Sequence, residues 1–132
     1  MYFASMNERA SIYWAKAQEN LESAALLLAE RKYNACTNRA YYAALQASVA
    51  ALLHEGYTVE KIDHALTQGE FVGKLIHRKK LYPQHIASHL DTLRQAREDA
   101  DYKPKMMSEI RARRQVAHAT EFLHTIRQRI AL

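Results

Sequence analysis

Between Asn38 and Ala51 the chain carries alanine at 40, 43, 44, 47, 50 and 51, so a helix through this stretch is slim on several sides. A helix of so little bulk fits the middle of a bundle, where more than one neighbour can approach it closely. Glycine (3) and proline (2) are scarce and helix-favouring residues are plentiful, which extends the helical reading to the rest of the chain. At 132 residues, one compact domain over 1–132 is expected, and any site lies on it or on an oligomer built from it.

Ser5-x-x-Glu8 has the form of a capping box and starts the first helix in this reading. Its apolar stripe is Trp14, Ala17, Leu21, Ala24 and Leu28, widened by Leu26 and Leu27, with Arg31 and Lys32 closing the helix. A second helix from Tyr33 to about Glu55 puts Ala35, Tyr42, Leu45, Val49 and Leu52 on one face, with Gly56 as its left-handed cap. Asp63 caps a shorter helix bearing Ala65, Leu66, Phe71, Val72, Leu75 and Ile76, which Gly69 and Gly73 weaken and His77-Arg78-Lys79-Lys80 ends. Pro83 suits the first turn of a fourth helix, carrying Ile86, Leu90, Leu93 and Ala100 to about Tyr102. After Lys103-Pro104-Lys105, Ser108 caps a last helix with Ile110, Val116, Ala119, Leu123, Ile126 and Ile130. The expected fold is all-α, an up-and-down bundle of four main helices plus a short one.

The formal charge of +5 and pI near 9.4 favour phosphate-bearing partners, though the excess is modest for a dedicated nucleic-acid binder. Cys36 stands alone, which excludes an intramolecular disulfide and a cysteine zinc site and reads as a small core residue. No window approaches the roughly 20 apolar residues of a membrane span, and the first residues lack a secretory pattern, so a cytoplasmic protein is expected. Of seven histidines only His85 and His89 have the i, i+4 spacing that can present two imidazoles to one metal. The glutamate of the metalloprotease motif is absent, a solvated face is the simpler reading, and neither metal nor cofactor is expected.

Two segments carry polar groups that rarely enter a core unpaired: Asn38-Arg39-Ala40-Tyr41-Tyr42-Ala43-Ala44 and Arg97-Glu98-Asp99-Ala100-Asp101-Tyr102. Arg39 needs an anionic partner, for which Asp101 or Asp99 is the candidate, and Tyr42 falls on the packing stripe. With His64 after the connector and Ala119-Thr120-Glu121-Phe122-Leu123 near the end, the order and spacing of these segments resemble the HEPN family, the higher eukaryote and prokaryote nucleotide-binding domain. The resemblance spans roughly residues 9 to 130.

The resemblance implies a helical homodimer, often paired with a minimal nucleotidyltransferase in toxin–antitoxin systems. It also implies a link to metal-independent ribonucleases, as many such proteins are, whose catalytic motif is an arginine followed four to six residues later by a histidine, two copies of the motif facing each other across the dimer cleft. Here the matching arginine is Arg97, and position 102 is tyrosine. A phenol with an ordinary pKa of about 10 is a poor base at neutral pH. The leading reading is therefore an interaction module that binds a nucleotide or RNA through Arg39, His64, Arg97 and Asp101 and partners a nucleotidyltransferase. The competing reading is a ribonuclease using Arg97 with Tyr102, or with a histidine such as His64; a third is a dimer with no ligand. Literal arginine–histidine spacings at Arg78 and His85, Arg111 and His118, and Arg113 and His118 are at the level of chance, and the members of the last pair diverge around their helix.

Overall fold

A computed structural model describes the backbone of residues 2–130 and the side chains of residues 8–130. The described chain is helical throughout: α1 (Tyr2–Ala29), α2 (Tyr33–His54), α3 (His64–Glu70), a π-helical continuation (Phe71–Arg78), α4 (His85–Tyr102) and α5 (Glu109–Arg127). The four long helices form an up-and-down bundle, with α3 and its continuation as the short addition. No helix among the described residues is long and apolar enough to cross a membrane.

Helix α2 lies at the centre and packs against α1, α4, α5 and the α3 segment. Its alanines explain this directly. Ala40, Ala43, Ala44, Ala47, Ala50 and Ala51 are all fully buried, on faces pointing in several directions. One continuous core joins them to Trp14, Phe71, Leu75, Ile86, Leu90, Leu93, Phe122 and Ile126. Cys36 is buried in the same core, and burial pushes its thiol up to about 11.

The expected caps hold at two helices. The Asp63 carboxylate accepts from the Leu66 amide at 2.9 Å, and the Ser108 hydroxyl accepts from the Arg111 amide at 3.2 Å. Gly56 takes φ +90° after α2, the left-handed conformation expected of it. Helix α1 differs, since its backbone is already helical at Tyr2, ahead of Ser5, and the capping side chain of Ser5 lies outside the described residues. Arg31 and Lys32 fall in the turn after Ala29, with Arg31 at φ 60°. Helix α4 begins at His85, two residues beyond Pro83.

Several stripe positions are corrected. Leu26 is exposed because it sits two residues from both Ala24 and Leu28, about 160° away around the axis. Leu66, Ile110, Ala65 and Ala35 are exposed as well. The segment around Gly73 is wound as a π-helix in place of the expected weakened α-helix, ending with the Lys79 amide donating to the Lys74 carbonyl at 3.1 Å. Its wider turn puts Phe71, Leu75 and Ile76, four and five apart, on the one buried face.

Candidate functional site

Helices α2, α3 and α4 bring most of the suspected residues together. Arg97 projects from the buried side of α4 and is only 9% exposed. Its Nη1 donates to Asp101 one turn on at 3.4 Å, its Nη2 donates to His64 Nδ1 at 3.3 Å, and its guanidinium lies 5.0 Å from the centroid of the Tyr41 ring. The buried Nε has no hydrogen-bond partner among the described residues. His64 is the first residue of α3, set there by the Asp63 cap, and its ring packs 5.6 Å from Tyr41 and 5.4 Å from Tyr42.

Arg39 closes the other side of this cluster, 4.9 Å over the Tyr42 ring. Two guanidiniums thus bracket a pair of phenol rings with an imidazole against both, an arrangement in which each cation meets a π face. Arg39 contacts neither Asp101 nor Asp99, contrary to expectation. Its Nε and Nη2 donate to Asn38 Oδ1 at 3.1 and 2.6 Å, and its Nη1 donates to Asn20 Oδ1 at 3.1 Å. Asn38 Nδ2 in turn donates to both Asp101 oxygens at 3.3 and 3.2 Å, so an amide relays between the two arginines. Asp99 faces elsewhere, paired with Arg111 and Lys103.

Tyr42, expected on the packing stripe, only borders the core, and its neighbour Tyr41 goes fully inside. Tyr41 is fully buried, its hydroxyl accepting from Gln68 Nε2 at 2.6 Å, whereas Tyr42 is half-buried at the margin. Because α2 is buried almost all round, its apolar stripe does not decide which phenol goes inside. Tyr102 is the larger correction, being 76% exposed. Five residues separate it from Arg97, about 140° around α4, so the two side chains diverge.

A groove of about 510 Å³ opens beside the cluster, between the α3 segment and α4, lined among others by His64, Gln68, Val72, Leu90, Arg94 and Arg97. Arg94 is drawn along α4 by Asp91 at 2.6 Å and Glu98 at 3.1 Å, which also line the groove. The local charge is thereby nearly balanced. His64 titrates below the usual histidine range, first because it is partly buried and then because Arg97 is adjacent. A guanidinium can only donate, so His64 Nδ1 accepts and the neutral ring carries its proton on Nε2.

A family model described as HEPN domain matches residues 10–129. The chain belongs to the HEPN family. A crystal structure of TT1696 from Thermus thermophilus is similar to this HEPN domain, with a TM-score of 0.78 and 18% sequence identity, covering 92% of this chain and 98% of that one. At that identity the likeness concerns the fold alone. Comparison with curated proteins gives no match.

Asn20, Gln68 and Arg94 belong to the Arg97 cluster and its groove without any signal in the residue pattern, and Asn38, which opens the first polar segment, had no role assigned to it. Asn38 had a usable signal, since asparagine is a weak helix former and sits inside a long helix beside an arginine. The literal arginine–histidine spacings lead nowhere: Arg111 pairs with Asp99, Arg113 with Glu109, and His118 stacks on His89.

Proposed function

We propose that this chain is a single HEPN-type domain acting as a homodimeric interaction module, which binds the phosphate of a nucleotide or RNA strand at the Arg97 recess and partners a minimal nucleotidyltransferase. The contact between Arg97 and His64 carries the binding part of this reading. A guanidinium whose Nη groups each keep a second N–H, and an imidazole whose free nitrogen bears a proton, together offer donors to an anion. The half-buried Tyr42 ring packed against His64 suits a base or ribose. The nearly balanced local charge points to modest affinity. Pairing with a nucleotidyltransferase rests on family membership.

The ribonuclease reading is disfavoured on the same geometry. Cleavage by a neighbouring 2′-hydroxyl needs a group free to take its proton, yet the accepting nitrogen of His64 is occupied by Arg97 and Tyr102 points away. Homodimer formation is supported by exposed apolar side chains gathered at one junction. Tyr102 ends α4, Met106 lies in the connector and Ile110 is in the first turn of α5, close in sequence to Asp101.

Incubation of purified protein with total RNA in the absence of divalent metal separates the readings. Uncut RNA, with labelled single-stranded RNA or ATP bound in fluorescence anisotropy and weakened at least tenfold by Arg97→Ala, is the expected result. Cleavage abolished by both Arg97→Ala and His64→Ala would replace binding by catalysis, and no binding of either ligand would overturn the module reading.

A further inference from the structure

Away from the Arg97 recess, α4 and α5 hold a second cluster. His85 and His89 lie one turn apart on α4, and both present Nε2 to Glu121 of α5, at 3.2 Å from Oε1 and 2.7 Å from Oε2. The three donor atoms all lie within 4.8 Å of one another. His118 of α5 stacks on His89 at 4.4 Å between ring centroids and a 29° interplanar angle, which limits the rotation of that imidazole. His89 is half-buried while His85 and Glu121 are exposed, so the cluster sits at the solvent edge of the bundle.

We propose that His85, His89 and Glu121 form a binding site for a zinc-class divalent transition metal. Bonds of about 2.0–2.2 Å to imidazole nitrogen and carboxylate oxygen set neighbouring tetrahedral donors roughly 3.3–3.5 Å apart, so small side-chain rotations bring these atoms into place. Two imidazoles and one carboxylate are a donor set for zinc, nickel or cobalt, whereas magnesium and calcium take oxygen ligands. A three-ligand set leaves a coordination position open, and with His85 and Glu121 exposed that position faces solvent. The ion cross-links α4 to α5. The site is separate from the recess, since His89 and Arg97 are eight residues, about 12 Å, apart along α4.

The test uses the full chain without a polyhistidine tag. Calorimetric titration with Zn²⁺ is expected to show one equivalent per protomer, and Co²⁺ to give the intense visible absorption of a low-coordinate site, with neither displaced by millimolar Mg²⁺. Glu121→Gln weakens Zn²⁺ binding at least tenfold, and His85→Ala with His89→Ala abolishes the stoichiometric site while the circular dichroism spectrum is unchanged. Zn²⁺ should also raise the melting temperature of the wild type and leave that of the double variant unmoved. Absence of saturable uptake, or equal affinity in the double variant, overturns the proposal.

Discussion

Arg97 is held by several contacts, none of them strong alone. Its ion pair to Asp101 is long at 3.4 Å, and Asp101 keeps access to water and a second partner in Asn38. Arg97→Ala is therefore expected to lower stability by about 1–2 kcal/mol, from the lost cation–π contact and ion pair, with the fold intact. Thermal melts should show a drop of a few degrees beside a far larger loss of ligand binding. His64 adds a pH dependence. Its folded pKa lies below the ordinary 6.5, so below that value the unfolded chain takes up the proton more readily, and stability falls as pH drops from about 6.5 through the lower folded value. Melting curves between pH 7.5 and 5 should fall less steeply in His64→Asn, which lacks the titrating ring. Cys36 is inert by the same physics, because a buried thiol near 11 presents almost no thiolate at neutral pH.

Helix α3 is short, and its start matters more than its length. Asp63 satisfies the Leu66 amide and thereby fixes the first turn, from which His64 reaches Arg97. Asp63→Ala should destabilise the protein by about 1 kcal/mol and weaken ligand binding although residue 63 touches no ligand, a combination visible in paired melting and anisotropy measurements. The π-helical continuation responds in the opposite sense. A methyl group at Gly73 meets nothing within 4 Å and φ there is ordinary, so Gly73→Ala is expected to be neutral or stabilising by up to about 1 kcal/mol in a denaturation midpoint. In the central helix the margin is smaller still. Ala44 is fully buried where neighbours approach closely, and Ala44→Leu should cost about 1–3 kcal/mol by overpacking.

Over the whole molecule, among the described residues, Ile12 and Leu26 are exposed on α1 and Leu66 on α3, while three further large apolar side chains lie exposed where α4 passes into α5. Tyr102, Met106 and Ile110 expose more than two thirds of their surface next to the helix end that carries Asp101. If two copies meet there, a charge at the centre of the contact separates them. Ile110→Glu is expected to convert a dimer to a monomer in light scattering with little change in helicity, whereas an unchanged mass would place the contact elsewhere. Because Asp101 belongs both to this helix end and to the Arg97 cluster, a contact at the junction would set the recess close to the interface.

Helix number, order and most caps were legible in the sequence because they depend on local chemistry: apolar residues three and four apart, Asp63 and Ser108 before helices, Gly56 after one, and alanines thinning α2. The family resemblance was carried by the same kind of signal, polar side chains at fixed places on those helices. Which side chains meet was decided only by tertiary packing. Tyr41 and Tyr42 differ by one position, yet which of them is buried depends on α4 and Gln68; Arg39 finds Asn20 and Asn38 in place of a carboxylate; His89 and Glu121 converge from positions 32 residues apart in sequence. A helix sets directions every 100°, but the neighbour that occupies a direction is fixed by how the bundle closes around its core.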